Sequence, residues 1–423
     1  MKKEWFNKTM AILTGCLVLN TTSGYCADLS LDQAIDMALS NNYDIKIAQK
    51  DKETADAELE EAKGANRLSL TASSSLGISD TGNLGTSRSN SNEISMSMPL
   101  YTGGKNELKI DRAKDEITAK ELNLSRTKET TVLSTISDYY DILEAQKVVT
   151  VDKETVDNYQ EHLNNVQQSY AAGSIAKSDV LSTEVQLVNA QQTLVKDQNT
   201  YDVAVSTLKN LIKLKDEAPL NLVDDAQYQK FDDELLDCIK YAKENRKDLM
   251  QYQVLIAQAE KDVGIAKSGK KPTVNLSVSN SWDKQVLPSD DNHTLTAGVS
   301  ASWNLFDSNV TNSSIKQAEI ALEQAKLNFD KEADSIELDV RTNYLGMREA
   351  EKRFNSTQVA INKAEEDYFI AKEKYRAGAG LMLDIIDAQL ALTTAKTNYI
   401  QAQYDYATYK AKLENVMGMS KGE

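Results

Sequence analysis

Leu295-Thr296-Ala297-Gly298-Val299-Ser300-Ala301-Ser302-Trp303-Asn304-Leu305 alternates apolar or small residues with polar ones at a period of two. That is the pattern of a β-strand with one apolar and one watery face. Three more segments share it: Leu68-Leu70-Ala72-Ser74-Leu76-Ile78, Ile94-Met96-Met98-Leu100 and Val274-Leu276-Val278-Asn280-Trp282, each read at every second position. Strands are expected at about 68–79, 91–101, 273–284 and 294–306, close to the ~10 residues that a transmembrane β-strand needs. Tyr101, Trp282, Trp303 and Phe306 fall near strand ends, where an aromatic girdle lies. Polar loops at 80–90 and 283–293 join each pair. Four strands cannot close a sizeable lumen in one chain, so either several copies share a barrel or the strands form a small soluble sandwich.

Outward from the strands, the chain repeats itself. At an offset of 204, Leu31, Ile35, Ala38, Asn41 and Asp44 recur as Leu235, Ile239, Ala242, Asn245 and Asp248. At 205, Leu100, Tyr139, Tyr170, Gly173 and Asp179 recur as Leu305, Tyr344, Tyr375, Gly378 and Asp384. Each half reads as a helix, two strands, then two long helices, giving a first repeat at 28–225 and a second at 226–423. The segment 105–170 contains no proline or glycine, and its helix would be about 100 Å long at 1.5 Å per residue. Its partner is expected at 178–213, with counterparts at 309–376 and 383–417. The four prolines fall outside these helices. Their Ala, Gln, Asn, Lys and Glu content leaves thin apolar faces, so they must pack laterally along their length.

Lys2, Lys3 and Lys8, an apolar run at 10–19 and small residues to Ala27 have the order of a secretory signal peptide over 1–27. Cleavage after Cys26 or after Ala27 remains open. Leu13-Thr14-Gly15-Cys16 has the form of a lipoprotein box, but apolar residues continue past Cys16, which favours cleavage without acylation. A chain cut after Ala27 keeps only Cys238, hence no internal disulfide. The 423 residues carry 48 Lys+Arg against 64 Asp+Glu, a net charge of −16, which argues against nucleic acid as a partner. A mean hydropathy of −0.49 excludes a polytopic helical membrane protein. Two histidines, His162 and His293, make imidazole metal clusters and Ser-His-Asp catalysis poor expectations, so no enzyme activity, cofactor or resident metal is expected.

Pro99-Leu100-Tyr101-Thr102-Gly103-Gly104, its echo Asn304-Leu305-Phe306-Asp307, Tyr375-Arg376-Ala377-Gly378 and Leu383-Asp384-Ile385-Ile386-Asp387-Ala388-Gln389 occur together with the duplication. In this combination the chain resembles the TolC-like outer-membrane efflux protein family over nearly its whole mature length. The resemblance implies a mixed α/β membrane protein: a homotrimer whose protomers each give four strands to a twelve-stranded barrel in outer-membrane lipid. It implies a long periplasmic α-helical barrel closed at the hairpin ends. It further implies an exit duct of a tripartite efflux or type I secretion system, fed by a periplasmic adaptor and an inner-membrane pump of RND, ABC or MFS type. The rival is a periplasmic coiled-coil scaffold or adaptor without a channel, which would be expected to carry one hairpin inserted in β-rich domains rather than two copies of this plan.

By the same resemblance, Ser178, Asp179, Tyr375, Asp384 and Asp387 constrict the periplasmic entrance, with Tyr375 expected to hydrogen-bond Asp179. Asp384 and Asp387 lie three apart, hence on one helix face, and three copies would stack two carboxylate rings that attract cations. All three aspartates also begin helices, where a negative charge simply complements the helix dipole. The family's best-known member has an arginine where this chain has Gly380, so one tether of the closed entrance is missing. Gly173 and Gly378 read as left-handed helix caps. Around them Ser174, Ile175, Ala379, Gly380 and Leu381 would form tips suited to an adaptor hairpin, although turn chemistry alone also accounts for them.

Overall fold

The computed structural model describes residues 27–80, 82, 86–215, 220–286 and 289–419. The signal peptide, Cys16 and both cleavage alternatives lie outside or at the edge of these. A short strand β1 (Ala27–Leu29) leads into α1 (Leu31–Asn41) and α2 (Tyr43–Gly64), then strands β2 (Ser69–Asp80) and β3 (Thr86–Tyr101) and helices α3 (Lys105–Ala171) and α4 (Lys177–Ile212). The second half repeats the order: β4 (Leu220–Leu222), α5 (Leu235–Asn245), α6 (Lys247–Ser268), β5 (Thr273–Val286), β6 (Ser289–Ser302), α7 (Val310–Arg376) and α8 (Met382–Val416). The single helix expected before each strand pair is therefore two. The first break falls at Asn42, whose side chain accepts the Asp44 N–H at 2.7 Å and starts the second helix, and the other break falls at the equivalent Arg246. β6 begins at Ser289 and ends at Ser302, so Trp303, Leu305 and Phe306 lie beyond it; Trp303 Nε1 donates to the Lys270 carbonyl at 3.0 Å.

The four long strands form one antiparallel sheet in the order β2-β3-β5-β6, and β1 pairs in parallel with β4. Register sorts the side chains into two chemistries. One face carries the rows Leu70–Met96–Val278–Ala297 and Ala72–Ile94–Asn280–Leu295; the other carries Ser69–Ser97–Ser277–Gly298 and Thr71–Ser95–Ser279–Thr296. Leu70 and Val299 on the apolar face are 72% and 63% exposed, which in water is a liability and in lipid is the expected state. From Val274 to the row of Asn92, Trp282 and His293 this band covers about 26 Å of strand at 3.3 Å per residue. Leu76 shares that face, but its row partner is Asn90, so it sits past the Trp282 level rather than within the band.

Two matching turns carry the chain from strand to long helix. Gly103 and Gly104 take positive φ (70° and 86°), as do Ser308 and Asn309 (52° and 72°) at the equivalent positions. Thr102 Oγ1 accepts the Asn106 N–H at 3.2 Å, and Asp307 Oδ2 accepts the equivalent Thr311 N–H at 2.8 Å. The motif Thr102-Gly103-Gly104 is thus a re-aiming device, and a Cβ on Gly103 would come within 2.9 Å of Lys271 Cβ.

α3 and α7 have 67 residues each, about 100 Å of helix. Two apolar belts pack them against the short helices. Ala34 and Ala38 of α1 pack with Tyr139, Ile142, Leu208 and Ile212, while Ile239 and Ala242 of α5 pack with Ile336, Val340, Met347 and Leu413. Tyr139 Oη donates to the Leu29 carbonyl at 3.0 Å and accepts from the Asp224 N–H at 3.1 Å, tying β1 and the segment after β4 to α3. No described helix is long and apolar enough to cross a membrane. Cys238 is free and buried.

Candidate functional site: the helical tip

Both long hairpins turn by the same device. Gly173 (φ 74°) donates to the Tyr170 carbonyl at 2.9 Å and Ser174 to that of Ser169 at 3.0 Å; Gly378 (φ 72°) and Ala379 do likewise to Tyr375 at 3.0 Å and Lys374 at 2.9 Å. This is the paired hydrogen-bond closure of a left-handed helix end. Neither glycine has an atom within 4 Å of where a Cβ would sit, so their requirement is conformational. Gly380 differs: an added Cβ would stand 3.0 Å from Lys374 Cβ and 3.1 Å from the Tyr375 nitrogen. The turn passes close to α7 here, so a side chain at this position would need its neighbours to shift by a few tenths of an ångström. Arg376 is occupied with Glu373 at 3.1 Å.

The two tips pack against each other within one protomer. Leu163 and Val166 of α3 meet Val180 of α4 and Met382 of α8, with Ile175 and Tyr375 half-buried against them. At the centre stands His162, 8% exposed, with Nε2 3.0 Å from Met382 Sδ and its ring edge-on to Tyr375 at 5.5 Å between centroids. Neither His162 nor Met382 was foreseen as part of the site; a histidine in a chain with two of them was the available signal. A groove of about 1070 Å³ opens here, lined by His162, Asp179, Tyr375, Gly380, Met382 and Ile386 among others.

The expected gate residues divide. Ser178 and Asp179 stand at the start of α4, with Ser178 Oγ donating to Asp179 Oδ1 at 3.3 Å. Tyr375 faces the same groove, and burial together with the Asp179 charge pushes its phenol pKa up. The expected Tyr375–Asp179 hydrogen bond is not made: Tyr375 Oη is enclosed and has no partner among the described residues. Asp384 Oδ2 accepts the Leu381 N–H at 3.0 Å, so one carboxylate oxygen caps α8. Asp387 is exposed one turn on, beside a shallower groove lined by Ala360, Leu390 and Ala391. Among the tip residues, Ser174, Ala379 and Leu381 are exposed. No group of three His, Cys, Asp or Glu able to hold a metal occurs among the described residues.

The burial of His162 predicts a pH-sensitive tip. Burial lowers its pKa below the usual imidazole value, and Lys372, ion-paired with Glu161 at 3.1 Å, adds to the effect. The chain with separated tips binds a proton at about pH 6.5 and the packed tip only lower. Packing is then unaffected above that pH and weakens as pH falls through it. Proteolysis at the hairpin turns should accelerate between pH 7.5 and pH 5, and His162→Leu should flatten that dependence. An equally steep profile in the leucine variant would remove His162 from the account.

A two-faced sheet with open edges, continued by helices whose far ends converge on a polar groove, defines a subunit of a membrane-spanning duct. The outer membrane efflux protein family model matches residues 34–212 and 238–419, and the chain belongs to that family. It is an outer-membrane efflux channel protein with a large periplasmic helical part. Toxin and drug export protein A of Aggregatibacter actinomycetemcomitans is 25% identical over 392 residues, covering 89% of this chain and 85% of that protein. Outer membrane protein TolC of Salmonella enteritidis is 22% identical, covering 97% and 86%. The crystal structure of the Campylobacter jejuni CmeC outer membrane channel superposes with a TM-score of 0.81 at 16% identity, covering 93% of this chain and 87% of that one. These relatives are channel proteins rather than enzymes.

Proposed function

We propose that three copies of this chain, each built of repeats at 28–225 and 226–423, close a twelve-stranded barrel and a helical tunnel. The assembly passively conducts substrates from a periplasmic adaptor and an inner-membrane pump to the exterior. The observation that carries the reading is the sheet: β2 and β6 leave its two edges unpaired in the protomer, and one face is apolar across a membrane-sized band. Lipid does not tolerate open edges, and closure between copies removes them. Leu181, Val185, Val188 and Val195 add support, forming an exposed stripe along α4 that a neighbouring copy would cover.

In this reading Asp179 and Tyr375 line the entrance groove with Ser178 hydrogen-bonded to Asp179, Asp384 and Asp387 ring the axis, and the exposed tips at Gly173–Ser174 and Gly378–Leu381 meet the adaptor. The free Asp384 oxygen and the whole Asp387 carboxylate then face a constriction. Two unit charges about 8 Å apart interact by only about 0.5 kcal/mol in water, and several-fold more where the pore is poorly hydrated. The purified protein should run as a trimer in detergent and conduct with a cation preference in planar bilayers, blocked by a trivalent cation from the periplasmic side. Asp384→Asn with Asp387→Asn removes the charge, while the amide oxygen introduced at the first position still accepts the Leu381 N–H. Preference and block should therefore fall without loss of the trimer. A dispersed, non-conducting periplasmic protein would favour the scaffold instead.

A further inference from the structure

The hydroxyl-rich face of the sheet carries one charged residue inside the membrane band, and it is acidic. Glu93 shares its row with Ser73, Ser281 and Thr294. The rows below it hold Thr71, Ser95, Ser279 and Thr296, then Ser69, Ser97, Ser277 and Gly298, without a charge. One row outward on the same face stands Asp283, opposite Ser91. Among the described residues no basic residue occupies this face and neither acid forms an ion pair. Arg88 belongs to the opposite face, in register with Ile78. The apolar row immediately next to Glu93, Ala72–Ile94–Asn280–Leu295, fixes its depth within the lipid-facing band.

We propose that Glu93 is a selectivity residue of the barrel itself: three copies form a carboxylate ring that admits cationic permeants and retards anionic ones, independently of the entrance. The proposal rests on the trimeric duct described above. Twelve strands spaced about 4.8 Å apart and tilted about 40° give a backbone radius of about 12 Å. A glutamate side chain reaches about 5 Å inward, which leaves each carboxylate about 7 Å from the axis, less than the ~10 Å screening length at 0.1 M salt. A permeant on the axis is therefore within one screening length of all three charges. Serine and threonine walls supply no countercharge, so nothing local cancels the field. At 1 M salt the screening length falls to about 3 Å and the ring becomes invisible from the axis. That salt signature separates a field effect from a steric one.

The test uses full-length trimer in planar bilayers, with an entrance lacking the Asp384 and Asp387 charges (Asp384→Asn, Asp387→Asn) as background and potassium chloride gradients as the probe. In that background a cation preference of several-fold should persist near 10 mM salt and vanish near 1 M. Glu93→Gln, nearly the same shape, should clearly lower it at unchanged conductance, the remainder coming from Asp283 one row outward, and Glu93→Lys, which sets a positive charge against that of Asp283, should abolish it. If Glu93→Gln keeps the background's preference at low salt, Glu93 has no role in selection. Wild-type protein that assembles no conducting trimer gives a different result, overturning the duct and the role of Glu93 together. Should the lysine variant fail to assemble, the glutamine variant still decides.

Discussion

Arg246→Met is expected to destabilise the protomer by about 3–5 kcal/mol, the range for breaking a buried ion pair from one side. Arg246 is 4% exposed and stands at the break between α5 and α6. Its guanidinium binds Asp248 through Nε (2.9 Å) and Nη2, and donates to the Val416 carbonyl at 3.3 Å, near the end of α8. Arg126 of α3 approaches Asp248 at 3.6 Å and donates to Asn415 Oδ1 at 3.2 Å. One network thus joins α3, the α5–α6 corner and α8. Burial works against the Asp248 carboxylate, but the Arg246 guanidinium outweighs it and holds the pKa below the usual value. The contribution is complete above about pH 4 and is lost as pH falls further. Methionine leaves Asp248 enclosed with the longer Arg126 contact and the Leu249 N–H at 2.9 Å, so the loss should fall near the low end. Arg246→Met with Asp248→Leu should recover much of it, because no charge is then stranded. The midpoint of helical circular dichroism loss on heating reads both. A double variant no more stable than the single one would show that the network acts through its shape and not its charge.

Val299→Arg is expected to cost about 2 kcal/mol per protomer, the low end of the penalty for a guanidinium on the lipid face at mid-membrane, because that penalty falls towards the interfaces. Val299 is in register with Leu276, itself in register with Met98, one row inside the Val274 end of the apolar band. Ser300, the next residue, is in register with Asn275 on the hydroxyl face, and Ser300→Arg should be mild because its side chain meets water. Leu76→Arg should fall between them, since its Asn90 partner places it past Trp282, where a long side chain reaches the interface. The amount of trimer in the outer-membrane fraction measures all three. Equal losses for Val299→Arg and Ser300→Arg would refute the assignment of faces.

Much of this architecture is visible in the sequence because it is periodic. Alternation at two and at three to four residues marks strands and helices directly, and the offsets of 204 and 205 expose the duplication without any structure. Local backbone chemistry was equally legible: Gly173 and Gly378 cap helices as their positions imply, because a left-handed residue is a property of a short segment. The break at Asn42 is not legible in the pattern because one polar residue interrupts a continuous helical run, and what makes it a break is its own side chain accepting the Asp44 N–H two residues on.

The candidate site was legible only in outline. Residue type and spacing place Asp384 and Asp387 on one face, but only three-dimensional geometry shows that Asp384 spends one oxygen on the Leu381 N–H. Tyr375 and Asp179 are neighbours in charge without being hydrogen-bonded, a difference of orientation that no motif encodes. His162 and Met382 are 220 residues apart and touch only because the two hairpins fold tip to tip. The same holds for Arg126, Arg246 and Asn415, each unremarkable in its own stretch of sequence. The sequence by itself determined the repeat, the elements and the two-faced strands, since these follow from contacts between near neighbours and from the solvent each face must meet. Only the tertiary structure decided which polar groups satisfy one another and which stay free for the pore, because those pairings depend on distances between segments that the chain brings together once folded.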